Sequence, residues 1–318
     1  MTVFLLRRAL TAVPVVFFVV LLVFLSLHLA PGDPVEFIVG PDTPFNMDRD
    51  TYVAEIRARL GLDRPLHEQF ISYLGGLLQG DFGRSLRTNR DIFQELVPRY
   101  IATIELAVFA LIVTILIGVP LGIVSALRPN SWLDSLVTTV GLMGVSIPSF
   151  WLGLLLMLLF SLQLGWLPPS GRPVSAFAPG GFQYLILPGL TLALGAAALM
   201  MRLTRSQMLE VLSEDYVRTS RAKGLHERAV ILGHALRNAL IPVITVMGLQ
   251  FGGLLAGTVV VETVFSFPGV GRYLIQAVNA RDFPAVQSGV LFVSLTFVAV
   301  NFLIDVLYSI IDPRIRYE

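Results

Sequence analysis

A single lysine, four histidines and no cysteine leave this 318-residue chain few ways to perform chemistry. The phosphate-binding loop Gly-x-x-x-x-Gly-Lys-Ser/Thr works because its lysine reaches the terminal phosphates of a nucleotide. The one lysine, Lys223, is preceded by Ala222 and followed by Gly224, so that motif is absent. His67-Glu68 opens the His-Glu-x-x-His pattern of zinc proteases, but the second histidine's place is taken by Ile71. His28, His67, His226 and His234 are too dispersed to form a ligand cluster. Without cysteine there are no disulfides, iron–sulfur clusters or thiolate zinc sites. No catalytic, cofactor-binding or metal-binding residue is expected, and the chain is not read as an enzyme.

The elements that carry the remaining functional residues are membrane helices. Apolar residues make up 55% of the chain and charged residues 14%, against about 25% charged in soluble domains. With a mean hydropathy of +0.75, this is the profile of a polytopic, all-α integral membrane protein. The net charge of +1 argues neither for nor against nucleic acid, and no nucleic-acid partner is expected. Arg7-Arg8 precede an apolar run from Ala9 to Leu29 that ends in Ala30-Pro31-Gly32-Asp33, without a small-x-small cleavage site. At about 20 residues the run suits an uncleaved first span rather than a secretory signal. Further apolar segments run from Ile101 to Leu127, Leu133 to Leu164, Tyr184 to Met201, Ala239 to Val261 and Val286 to Ile310. Pro148 interrupts the third, which is read as one kinked helix. Six transmembrane helices in a single domain, 1–318, are expected.

Arginine placement orients them. With the N-terminus inside, the cytoplasmic side holds Arg7, Arg8, Arg128, Arg202, Arg205, Arg218, Arg221, Lys223, Arg228, Arg237, Arg314 and Arg316. The short outer loops hold only Arg172, Arg272 and Arg281. Long loops translocate largely regardless of charge, so the eight arginines of the segment 30–100 do not alter the assignment. Both termini are expected in the cytoplasm and the segment 30–100 outside. That segment has amphipathic stretches at Tyr52–Leu60 and from Pro65 to Phe70, then turn residues at Gly80-Asp81-Phe82-Gly83. Short helices on the outer face are expected there. No internal repeat supports an inverted-repeat secondary transporter.

The cytoplasmic segment 202–238 is the most informative. Ser213 is placed to cap a helix whose first turn carries Glu214 and Asp215, where carboxylates meet the positive end of the dipole. Lys223 falls in its last turn and Gly224 just beyond, where a left-handed residue closes a helix. A second helix from about Glu227 to Ala239 leads into the fifth span. The pattern fits a docking element on the cytoplasmic face, or an ordinary basic interfacial loop.

Arg218-Thr219-Ser220-Arg221-Ala222-Lys223-Gly224, followed after nine residues by His234-Ala235-Leu236-Arg237-Asn238, resembles the EAA loop of ABC-importer permeases. More closely, it is similar to the dipeptide, oligopeptide, nickel and glutathione permease family. The resemblance covers nearly the whole chain, through Pro31-Gly32-Asp33-Pro34, Leu60-Gly61-Leu62-Asp63 and Gly80-Asp81-Phe82-Gly83. It continues in Glu262-Thr263-Val264-Phe265, Pro268-Gly269-Val270-Gly271-Arg272, Arg281-Asp282-Phe283-Pro284 and the ending Asp312-Pro313-Arg314-Ile315-Arg316-Tyr317. Val211-Leu212-Ser213-Glu214-Asp215-Tyr216 looks most like the glutathione and dipeptide branch. The name-giving Glu-Ala-Ala is Arg218-Thr219-Ser220 here, so Gly224 carries the loop resemblance better than an acidic residue does.

The resemblance implies a type I importer in a bacterial or archaeal inner membrane. A second, homologous permease subunit completes the pathway, two ATP-binding subunits supply ATP and Mg chemistry, and an extracytoplasmic binding protein delivers the peptide. Carried onto this chain, the ATPase-coupling residues are Asp215, Arg218, Arg221, Ala222, Lys223, Gly224, His234 and Asn238. The four cations Arg218, Arg221, Lys223 and Arg237 either pair with acidic groups or helix termini on the ATPase, or are solvated. In the fifth span Gly248, Gly252 and Gly257, with Gly253, are spaced for close helix approach, and Gln250 between them needs a partner. These mark helix packing or the pathway. The rival class, an ion-coupled transporter or channel, would draw on intramembrane polar groups, with Glu105, Asn301 and Asp305 as candidates.

Overall fold

The computed structural model describes residues 2–29, 35, 48–59, 62–173 and 175–311. Pro31–Pro34, Leu60-Gly61 and the ending Asp312–Tyr317 lie outside the described residues. In chain order the helices are α1 (Thr2–Leu29), α2 (Arg49–Arg59), α3 (Leu66–Leu78), α4 (Ile92–Leu127), α5 (Trp132–Ser146) and α6 (Ser149–Leu156). They continue with α7 (Gln183–Leu212), α8 (Asp215–Ala222), α9 (Glu227–Ala229), α10 (Leu236–Val264), α11 (Val270–Asn279) and α12 (Phe283–Ile311). α6 runs on as a π-helix, Met157–Gln163, and a second π-helical turn, Val230–Ala235, joins α9 to α10.

A bilayer core offers backbone groups no water, so helices are the expected solution for a non-barrel chain. Among the described residues, four helical stretches are long and apolar enough to cross: Ile92–Leu127, Gln183–Leu212, Glu227–Leu255 and Phe283–Ile304. The bent pair Trp132–Ser146 and Ser149–Gln163 makes a fifth. The expected first span is helical over 28 residues, with its apolar stretch at Leu10–Ser26. Two boundaries differ from hydropathy. α4 begins nine residues before the expected Ile101, and α7 continues eleven residues past Met201 to Leu212. Helix propagation depends on backbone hydrogen bonding, which does not stop where side chains become polar.

The third segment bends by 105° between its two helices, far more than a kink. Ile147 sits in the extended region (φ −83°, ψ 123°), as a residue before proline must. Pro148 then starts the next helix at φ −59°, where its missing N–H costs nothing.

The chain forms two compact units. Of the described residues, the first comprises those within 2–6, 101–272 and 299–311. Its core gathers Leu106 and Ala110 of α4, Leu187, Leu192 and Ala193 of α7, and Leu254 and Val261 of α10, with Phe265 and Phe267. Small residues let α4 and α7 approach closely. A Cβ at Gly122 would lie 2.6 Å from the Met201 carbonyl oxygen, and one at Gly118 would lie 2.9 Å from that of Ala197. Packing of this kind stands in for the hydrophobic drive that lipid does not supply.

The second unit comprises the described residues within 7–100 and 273–298. Phe70, Tyr73 and Leu74 of α3 pack with Val20 and Val23 of α1 and Leu291 of α12, and Phe24 meets Phe70 edge-on at 5.3 Å. Here the expected outer-segment helices are present as α2 and α3, and Gly80 and Gly83 turn the chain with φ of +80° and +79°. The buried Asp282 fastens the hairpin at 84–91 to the turn before α12. It accepts from Ser85 Oγ and from the Leu86 backbone N–H at 3.1 Å.

Candidate functional site

The candidate coupling element is built by α7, α8 and the segment leading into α10. α8 is an eight-residue helix with one fully buried side chain, Val217. It packs against the π-helical turn Val230–Ala235. Below it, Met208 of α7 shares a core with Ala126, Ala235 and Ala239.

Ser213 does not cap α8. It adopts helical dihedrals (φ −85°, ψ −12°) at the end of α7, and its hydroxyl donates to the Glu210 carbonyl at 2.7 Å. Glu214 takes the N-cap place in extended conformation (φ −67°, ψ 147°) without a side-chain cap bond. The cause is the extra length of α7, which uses Ser213 as its own terminus. The other end is as expected. Gly224 adopts φ +77°, and its N–H donates to Arg221 O while the Leu225 N–H reaches Ser220 O, a left-handed closure that suits glycine.

Three contacts clip α8 to the next segment: buried Val217, an ion pair and a polar bond. Arg221 donates to Glu227 through Nε at 3.2 Å and Nη2 at 2.7 Å. This hydrogen bonding, more than charge alone, holds the Glu227 carboxyl below its usual pKa. Asn238 Nδ2 donates to the Tyr216 hydroxyl at 2.7 Å. Tyr216 and Glu227 were not among the expected site residues, because their partners lie 22 and 6 positions away on another element.

The remaining expected residues face outward. The side chains of Arg218 and Asp215 are 71% and 96% exposed and meet only at 3.5 Å, a pair worth little in water. Ala222, Lys223, Gly224, Leu225, His226, Arg228 and His234 are exposed as well. The arrangement is a short, stiff helix with an exposed basic end, held at a fixed angle by the segment behind it.

The fifth-span glycines separate in role. Gly248 packs against α12, where a Cβ would come within 2.7 Å of Ile304. Gly257 makes ordinary contact with Leu192 of α7, while Gly253 is exposed. Gly252 is buried and Gln250 half-buried. An apolar cavity of about 330 Å³ opens beside Gly248, lined by Leu111, Met247, Phe251 and Leu303 among others.

Of the polar residues weighed for ion coupling, Glu105 is committed to the ion pair with Arg172, at 2.5 Å, and accepts from Ser175 Oγ at 3.1 Å. Asn301 is engaged in an interaction of its own, and the Asp305 side chain lies outside the described ones. Two buried carboxylates escaped sequence reasoning. Glu262 accepts from Thr103 Oγ (2.7 Å) and the Arg272 N–H (2.9 Å). Asp134 takes both Nε and Nη2 of Arg205 at 2.7 Å.

Comparison with known proteins agrees with this architecture. Two glutathione transport system permease proteins named GsiC match nearly end to end. The one from Salmonella typhimurium (strain LT2) is 46% identical over 315 residues, covering 99% of each chain. The one from Escherichia coli (strain K12) is 45% identical over 316 residues, again covering 99% of each chain. Among solved structures, an inward-facing form of the MetNI methionine ABC transporter superposes with a TM-score of 0.58 at 17% identity, covering 69% of this chain and 97% of that one. At that identity it speaks for the fold, which is that of the type I importer permeases. Residues 1–107 match the N-terminal part of binding-protein-dependent transport system membrane components. With residues 118–317 matching the family's main region, the chain belongs to the binding-protein-dependent transport system inner membrane components, the non-catalytic permeases of ABC importers.

Proposed function

We propose that the chain imports glutathione or short peptides and that the segment 202–238 is where ATPase subunits drive it. The single observation behind the coupling role is the exposed turn from Arg218 to Gly224, braced from behind by Val217, Arg221–Glu227 and Tyr216–Asn238. A motor pushing on a soft loop dissipates its stroke. A helix closed by a left-handed glycine and clipped at three points transmits it. Asp215, Arg218, Ala222, Lys223, His234 and Gly224 would face the ATPase, while Arg221 and Asn238 set the angle of the helix.

The solute class is taken from the names of the two relatives. The cytoplasmic placement of both termini rests on twelve basic residues on that side against three in the short outer loops. The assembly we envisage has a homologous second permease, two ATP-binding subunits and an extracytoplasmic binding protein. Gly248 and Gly257 belong to helix packing within the subunit, and Gly252 and Gln250 remain the candidates nearest the pathway.

Reconstitution tests the reading. In proteoliposomes holding both permeases and the ATPases, glutathione uptake is expected only with ATP inside and the binding protein outside. Uptake by this chain alone, driven by an ion gradient, would overturn it.

A further inference from the structure

The stroke delivered to α8 has to reach the membrane helices, and a single carboxylate stands at the junction. Asp134 lies in the first turn of α5 and is 5% exposed. Its Oδ1 receives Arg205 Nε and Ser125 Oγ, and its Oδ2 receives Arg205 Nη2 and the Asn130 N–H (2.9 Å). The donors come from three elements. Ser125 belongs to the last turn of α4, Asn130 to the connection into α5, and Arg205 to α7. Ser131 completes the junction by capping α5, its Oγ accepting from the Asp134 N–H at 3.2 Å.

Arg205 stands seven residues before the end of α7 at Leu212, about 10 Å along the axis. α8 begins within three residues of that end. Displacement of α8 therefore reaches the end of α7 through the two-residue link, beside the segment leading into α10, and Arg205 is the charged side chain by which that end of α7 grips α4 and α5. Apolar contacts slide at small cost, whereas a bidentate guanidinium–carboxylate pair has a fixed geometry, and parting it strands the buried Asp134 carboxylate, Arg205 itself being half-buried.

We propose that the Asp134–Arg205 pair is a positioning device for transport, coupling movement of α8 to α4 and α5 so that the three helices turn together. α5 carries the movement to the bend at Ile147-Pro148, where the chain already changes direction by 105°. The pair is not needed to bind the ATPase, since neither residue lies on the exposed face of α8. It is needed to convert a docked, cycling ATPase into solute movement.

This inference rests on the proposed coupling role of 202–238, and the experiment separates the two. In proteoliposomes with the complete importer, the readout is ATP hydrolysed per glutathione taken up. Asp134→Asn and Arg205→Gln are each expected to raise that ratio by about tenfold, the size of a typical coupling between distant sites. Co-purification of the ATPases is expected to stay at the unmodified level. Arg205→Lys, which keeps the charge but loses the paired geometry, is expected to fall between. An unchanged ratio in both Asp134→Asn and Arg205→Gln, alongside uncoupling by a Gly224 variant, overturns this inference alone. An unchanged ratio in the Gly224 variant overturns the coupling reading beneath it.

Should the single variants fail to assemble, the chain's lack of cysteine provides a second route. Asp134→Cys with Arg205→Cys, bridged by a short bismaleimide, is expected to lower the ratio relative to the same protein unbridged. Equal ratios before and after bridging overturn the proposal.

Discussion

Gly224→Val is expected to cut ATP-driven uptake by about tenfold or more while leaving the chain inserted in the membrane. The residue adopts φ +77° and nothing lies within 4 Å of the position a Cβ would take. No packing is therefore disturbed, and the whole effect comes from the backbone. A left-handed conformation costs an L-residue about 1–2 kcal/mol, and a β-branched residue is a worse occupant still. About 1.4 kcal/mol shifts an equilibrium tenfold, so the native turn loses about that factor against its alternatives and α8 holds its angle less firmly. The same backbone cost predicts a graded series. Gly224→Asn should be mildest, because asparagine tolerates this region, with Gly224→Ala between and Gly224→Val worst. Uptake and ATP hydrolysis measured on the same proteoliposomes check the order, and full uptake by the valine variant contradicts the lever.

The second large effect is structural. Glu262→Ala should destabilise the first compact unit by about 3 kcal/mol or more, since a buried donor left without its acceptor costs about 1–3 kcal/mol and the Thr103 hydroxyl and the Arg272 N–H both lose theirs. The Glu262 carboxylate is fully buried and receives Thr103 Oγ and the Arg272 N–H. Thr103 Oγ in turn accepts from the Val270 N–H at 2.9 Å, so one side chain orders the whole turn between α10 and α11. A Cβ at Gly269 would fall 2.1 Å from its Oε1, which shows how tightly that turn wraps it. Thermal unfolding of the detergent-solubilised protein, followed for the alanine variant beside the unaltered chain, gives the comparison. Coincident midpoints would sink the claim. A lower midpoint with uptake per folded molecule intact would mark the residue as purely architectural.

Much of the fold was legible in the residues, and the features that escaped did so for identifiable reasons. Five of the six apolar segments are helical where described and the third is helical on either side of Ile147-Pro148, because a run of about 20 apolar residues has few other fates in a membrane chain. Gly224 after Lys223 announced its left-handed turn, and Pro65 and Gly80 bracketed α3. Ser213 misled because its hydroxyl serves equally at a helix start or end, and hydropathy gives no sign that α7 runs on to Leu212. Pro148 signalled an interruption, but the residue type alone does not specify the 105° angle. The ion pairs were the least legible. Arg205 and Asp134 stand 71 positions apart, and Thr103 and Glu262 159, so no local periodicity joins them. Glu262 reads in sequence as part of an outer turn motif, and only the fold shows it pointing inward.

Lys223 has one more consequence. It is exposed at the close of α8, and no other lysine or any cysteine exists in the chain. Amine-reactive dyes, which on most membrane proteins scatter over many sites, have one side-chain target here. The unaltered protein thus carries its own address for a fluorophore, on the element argued to meet the motor.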